Sequence, residues 1–279
     1  VKTVFTLLLL CCFGSVTSRA ADPSPEDKAM VAKFEKELAE LNTAMAAGKP
    51  SLAQYSRRGD LNFFLMKFEE AVADYQKMND LDPTQEERHW RLGIAYYVSG
   101  DLQKSVDLFE KYYKHDNTDR ETGLWHFLGN AGLSDIPTAQ SKMLKYDKDD
   151  RPPFKQLYDF FGGEGGTVQE FFRALYDEGF STKQDVMFYA RLYSGIYEEV
   201  SGRPETAEKF IRMAYESPWG RKAIGGPGYM WQIARILATA PKEEEKPAEE
   251  KKPDGEKKPE GEGEKKPEAE KKPAAEEKK

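Results

Sequence analysis

The chain has 279 residues, enough for one substantial domain with appendages, and carries a net charge of −7 at pH 7. Its Lys and Arg residues form no basic stripe, so a nucleic-acid footprint is excluded. The two cysteines, Cys11 and Cys12, both lie at the extreme N-terminus, which leaves the body without a disulfide framework, a thiol nucleophile or a thiolate metal site.

Residues 1–20 read as a secretory signal peptide. Lys2 gives a basic start, Val4 to Phe13 form an apolar run, and Ser18-Arg19-Ala20 places small residues where a signal peptidase reads, with cleavage after Ala20 or Ala21. The run is shorter than the roughly 20 residues that span a bilayer. Leu10 precedes Cys11 and Cys11 precedes Cys12, so neither cysteine has the small preceding residue of a bacterial lipid-anchor signal. The expected product is exported, periplasmic or otherwise extracytoplasmic, and soluble, with no transmembrane segment.

Residues 21–50 form a polar leader and one helix. Ser24 with Asp27 gives an N-terminal capping signal, and Val31, Phe34, Leu38, Leu41 and Met45 recur at spacings of three and four on one face. Gly48-Lys49-Pro50 ends it. From Ser51 the chain repeats itself with a period of 34: Gly59 matches Gly93, Ala71 matches Ser105, Tyr75 matches Phe109 and Pro83 matches Asn117. Gly59 and Gly93 remove a side chain where one helix must approach its partner, and Ala71 and Ser105 do the same from the second helix. Tyr75, Phe109 and Tyr96 are expected to fill the gaps between hairpins. Asp82-Pro83 stops the second helix. Such hairpins must stack to bury their apolar faces.

These two segments resemble tetratricopeptide (TPR) repeats, with Gly93, Gly100, Ser105 and Phe109 fitting that family's spacing. The first copy departs from it, since Arg58 and Asn62 stand where the family has Leu and Tyr; in the second, His89 replaces the usual aromatic. A further copy near the C-terminus aligns Gly195, Gly202, Ala207 and Ile211 with Gly93, Gly100, Ser105 and Phe109 at a constant offset of 102. Between them, residues 120–187 are expected to hold about one degenerate repeat, with helices at 120–133, 139–144, 154–161 and 167–179. The order of these segments over 51–237 resembles the new-lipoprotein-I type of envelope TPR adaptor, without its lipid-anchor cysteine. The fold class is therefore all-α, a TPR-like helical-hairpin solenoid over 51–240 with an irregular middle, closed by a last helix in which Tyr229, Ile233, Ile236 and Leu237 share a side. From residue 241 to 279 the composition turns to Lys, Glu, Pro, Ala and Gly, with Lys-Lys-Pro recurring at 251, 257, 265 and 271. Such a tail is expected to be disordered.

No catalytic constellation stands out, and no cofactor is implied. His89, His115 and His126 lack metal-ligand spacing, and no Gly-x-Ser-x-Gly is present. The glycine clusters at 162–166 and 225–228 lack the Lys of a phosphate loop and read as connectors. In TPR proteins the first helices line a concave groove that takes a partner segment. The resemblance carries that role to Phe63, Phe64, Trp90, Ile94, Tyr97 and Val98, with Leu192 and Ile196 from the last copy. The other reading of the same residues is packing against adjacent helices. The expected function is an exported, non-catalytic scaffold that binds protein or peptide partners, with homodimerisation as a further option. The alternatives are a spacer protein acting through its charged tail and an envelope enzyme using carboxylates such as Asp159, Glu164 or Glu170.

Overall fold

The computed structural model describes residues 23–148 and 151–240; the expected signal peptide (1–20) and charged tail (241–279) lie outside the described residues. All regular structure among them is helical. The first helix, α1 (Pro25–Ala46), opens with the capping box anticipated at Ser24, whose hydroxyl accepts the Asp27 N–H while the Asp27 carboxylate accepts the Ser24 N–H. Five helix pairs follow: α2 (Leu52–Phe64) with α3 (Phe68–Leu81), α4 (Trp90–Val98) with α5 (Leu102–His115), and α6 (Arg120–Leu133) with α7 (Ile136–Ser141). Next come α8 (Phe154–Phe161) with α9 (Val168–Asp177), and α10 (Gln184–Val200) with α11 (Pro204–Tyr215). A short α12 (Pro218–Lys222) and the C-terminal α13 (Gly225–Thr239) complete the order.

Three pairs share one contact. A Cβ added to Gly59 would lie 2.5 Å from the Tyr75 ring; at Gly93 it would meet the Phe109 ring at 2.6 Å, and at Gly195 the Ile211 side chain at 2.6 Å. In each pair the first helix gives up its side chain so that a large residue of the second can lie flat against its backbone. Ser105 adds a hydrogen bond, its hydroxyl donating to the Gly93 carbonyl at 2.8 Å. Tyr75 and Phe109 therefore sit over the glycine of their own hairpin, and Tyr75 also meets the next hairpin, its ring 5.1 Å from His89 and 5.4 Å from the Arg91 guanidinium. Tyr96 likewise bridges hairpins, its hydroxyl accepting from Gln76 of α3 at 2.9 Å. Gly100 and Gly202 turn their hairpins with φ of 85° and 73°, and Met66 makes the equivalent turn with φ of 59°.

The middle holds two helix pairs, α6/α7 and α8/α9, not the single degenerate repeat expected. Counting 34 and 68 residues on from Gly93 reaches Phe127 and Phe161. These rings cannot provide the glycine contact. They pack on each other instead, with centroids 5.1 Å apart, and Phe161 lies 4.9 Å from Tyr197. Close approach is provided elsewhere on α6, where Gly129 faces Val106 and Gly123 faces Tyr146 and Tyr158. The segment after α7 is held extended through its own carbonyls. Tyr158 donates to Leu144 at 2.5 Å and Tyr113 to Lys145 at 2.7 Å.

The departures from the repeat pattern have partners. Arg58 reaches Asp74 of α3 at 2.6 Å, Asn62 donates to the same carboxylate at 3.0 Å, and Arg58 also donates to Asn42 of α1 at 3.2 Å. Asp74 is buried, so these bonds replace apolar packing with a satisfied ion cluster that also ties down α1. His89 packs at a tilt against Tyr75, with ring centroids 5.1 Å apart, and its Nδ1 accepts the Leu92 N–H as the N-cap of α4. Burial pushes this imidazole down to about 4.

Two predictions follow from this packing. Gly93→Ala forces the Phe109 ring off its seat, so urea unfolding is expected to show a loss of about 1–3 kcal/mol. Gly93→Ala/Phe109→Leu should regain part of that loss; an unchanged midpoint in the single variant contradicts the contact. For His89, the unfolded chain takes up a proton below about pH 6.5 while the folded chain resists until about pH 4. Stability is therefore full above about 6.5 and is lost as the pH falls toward 4, by about 2–3 kcal/mol at pH 4.5. His89→Asn, which keeps a capping side chain, should flatten that stretch of the pH profile.

Candidate functional site

Of the residues expected to line a groove, Phe63 and Phe64 of α2 and Trp90 of α4 come together, and the space in front of them is occupied by α13. Tyr229 of α13 inserts its ring 4.9 Å from Phe63, 5.2 Å from Phe64 and 5.1 Å from Trp90. Its hydroxyl meets that of Tyr75 at 3.3 Å, and Tyr75 donates to Asp60 at 2.7 Å, which also receives Arg91 at 2.7 Å. Phe63, Phe64 and Ile94 are buried, as are Leu192 and Ile196 of α10. These five residues are core, a correction to their assignment to an open surface, and for Phe63 and Phe64 the cause is the helix that covers them. Trp90, Tyr97 and Val98 keep partial exposure along α4, with Tyr97 packed edge-on against Trp125 at 5.5 Å.

Why α13 sits here is legible in its chemistry. Tyr229, Met230, Trp231, Ile233 and Ile236 are all buried. At about 1.5–3 kcal/mol each, their burial comes to on the order of 10 kcal/mol. That is comparable with the whole net stability of a typical domain, so α13 is part of the fold rather than a ligand in exchange. The buried Arg235 donates to the Phe64 carbonyl at 2.5 Å and to Gln232 at 2.7 Å. Its charge thus lies at the negative end of the α2 dipole, which offsets its desolvation. Burial nevertheless lowers its pKa below the ordinary guanidinium value.

A second tie joins α1 to α11 and α12. Asp27 of α1 is buried and accepts from Tyr215 of α11 and from Arg221 of α12, the latter at 2.9 Å. The Arg221 guanidinium in turn lies 4.8 Å from the Trp231 ring of α13. Burial acts to raise the Asp27 pKa, but hydrogen bonds from Ser24, Tyr215 and Arg221 prevail and hold it below the ordinary carboxylate range. α1 is therefore tied to the last hairpin as well as to the first.

The chemistry available on this framework is that of packing. Burial raises the phenols of Tyr75, Tyr193 and Tyr229 well above their ordinary range, so all three stay protonated at neutral pH. Tyr193 accepts from Trp125 at 3.0 Å and donates to Glu121 at 2.7 Å. The carboxylates weighed for an enzyme are not held in a closed cleft. Asp159 pairs with Lys155 at 2.6 Å, Glu164 is exposed, and Glu170 caps α9 through the Thr167 backbone, a bond that lowers its pKa. Among the described residues no group of three or more His, Cys, Asp or Glu side chains is placed to hold a metal ion, and no helix is long and apolar enough to cross a membrane.

No protein-family model matches the chain. Over 120 residues it is 26% identical to the TPR repeat-containing protein MJ1428 of Methanocaldococcus jannaschii, an alignment covering 41% of this chain and 21% of the relative. The chain thus spans about a fifth of that relative's length. Together with the helix pairs and their glycine contacts, this similarity supports a TPR-like helical repeat protein.

Tyr229 gives this arrangement a direct test. Tyr229→Phe removes one hydrogen bond, and urea unfolding is expected to register about 1 kcal/mol. Tyr229→Ala empties the aromatic pocket and is expected to lose about 3–5 kcal/mol. Near-identical midpoints for the wild type and Tyr229→Ala contradict the placement of α13.

Proposed function

We propose that this protein is an exported, non-catalytic adaptor of TPR type that binds other proteins, close in plan to the new-lipoprotein-I kind of envelope adaptor. The observation that supports the reading most is the repeated glycine-under-ring hairpin, a framework whose known use is to present helix surfaces to partners. Export rests on the N-terminal signal pattern, and the lack of a small residue before Cys11 or Cys12 favours a product free of a lipid anchor.

Because α13 fills the inner space, the partner surface is narrower than the full groove. It consists of the strip along α4 where Trp90, Tyr97 and Val98 remain partly exposed. A partly buried tryptophan and tyrosine beside an aliphatic side chain suit an apolar or aromatic anchor from a partner segment.

Photo-crosslinking tests this without dismantling the core. A photoreactive residue placed at Val98 is expected to trap a discrete set of envelope proteins, while the same residue at the outward-facing Lys77 traps none of them. Identical products from both positions, or none from Val98, would remove the α4 strip as the partner surface.

A further inference from the structure

The α6/α7 pair carries a buried histidine whose hydrogen bonds cannot all be made at once. His126 and Asn130 sit one turn apart on α6, each 2% exposed. Lys142, the residue after α7, donates to Asn130 Oδ1 at 3.1 Å, and Asn130 Nδ2 donates to the His126 carbonyl at 3.0 Å. These two contacts fix the amide's orientation. Flipped, it would set its NH2 against the ammonium and its oxygen against the carbonyl. The second hydrogen of Nδ2 is therefore left for His126 Nε2, 3.2 Å away. Nε2 accepts it only if the ring proton sits on Nδ1, which is buried and has no partner among the described residues.

Glu110 of α5 makes the opposite demand. Its Oε1 lies 3.4 Å from the same Nε2 and pairs with it only when Nε2 carries a proton. One nitrogen thus faces a donor and an acceptor, and the charge of the ring decides between them. With the ring neutral, the series Lys142–Asn130–His126 is complete, and the half-exposed Glu110 is left to water. With the ring cationic, Nε2–H takes Glu110 and turns away the Asn130 amide hydrogen, and the displaced amide no longer holds Lys142. Burial keeps the imidazole below its ordinary value; the Lys142 charge acts in the same direction and Glu110 against it. The neutral arrangement therefore holds at neutral pH, and the exchange falls on the acid side of the ordinary histidine range. We propose that His126, Asn130 and Lys142 form an acid-released catch that fastens the end of α7, and the connector behind it, to α6. α7 has six residues, so the loss of one tie is felt along its whole length, and Gln140, which donates to the Phe161 carbonyl at 3.1 Å, is left to hold it.

Imidazole nitrogen NMR and hydrogen exchange on the full chain test this together. At neutral pH His126 is expected to be the Nδ1–H tautomer. As its ring takes up a proton on acidification, protection of the amides of residues 139–143, corrected for the intrinsic pH dependence of exchange, should fall. The expected loss is about tenfold or more, the worth of one hydrogen bond to a charged group. Lys142→Met, a change at an exposed site, should show that lower protection already at neutral pH and no further step as His126 titrates. His89 acts equally in both chains and drops out of the comparison. An Nε2–H tautomer at neutral pH overturns the proposal, as does protonation of His126 with the protection of α7 unchanged. A Lys142→Met chain that loosens with acid as the wild type does also overturns it, and would assign the loosening to general acid unfolding.

Discussion

The contact on which the rest of the structure depends is that of a bare glycine backbone against a large side chain sixteen residues later. Gly59 under Tyr75, Gly93 under Phe109 and Gly195 under Ile211 bring the two helices of a pair closer than any side chain at the glycine would allow. Close pairs make narrow hairpins, and narrow hairpins stack with their first helices facing a common interior. Because Phe63, Phe64 and Trp90 face that interior, something apolar must cover them. The chain covers them with its own C-terminal helix, and Tyr229 is the residue that reaches furthest in.

The two ties that hold this arrangement are of different kinds. α13 is held mainly by apolar burial, which is strong in sum and indifferent to pH. α1 is held to the last hairpin through Asp27, a charged interaction that is full above about pH 4 and is lost as the pH falls through the lowered pKa of Asp27. That window lies below the one set by His89, whose imidazole is kept neutral down to about 4. Moderate acid therefore strains the Tyr75–His89 region of the first two hairpins before it releases the N-terminal helix.

What the sequence disclosed and what it withheld divide along physical lines. The hairpins at 52–81, 90–115 and 184–215 were readable because glycine and a large side chain recur at fixed spacing, a local requirement of helix geometry. The four middle helices were readable one by one, but not as two pairs in the repeat frame, because Phe127 and Phe161 occupy the glycine positions and substitute ring-on-ring packing, which leaves no small-residue signal. Arg58 and Asn62 looked like weak repeat positions until Asp74 was seen to satisfy both. The groove residues were assigned by the family resemblance, and their exposure was not readable. Which helix faces a groove depends on tertiary contacts between residues some 165 positions apart, such as Phe64 with Tyr229, and no local pattern encodes them. A signal did exist in α13 itself: Tyr229, Met230, Trp231, Ile233 and Ile236 are apolar around more than one face, whereas a capping helix needs an apolar stripe on one side.

The central claim, that α13 is the built-in filling of the repeat interior, is tested most directly by native-state hydrogen exchange with mass spectrometry. If α13 is core, the amides of residues 230–236 should exchange only on global unfolding, with protection matching that of α6 and α10. Exchange of that segment well ahead of α6 would mean that the interior opens in the native state, and α13 would then be a displaceable occupant of a partner groove.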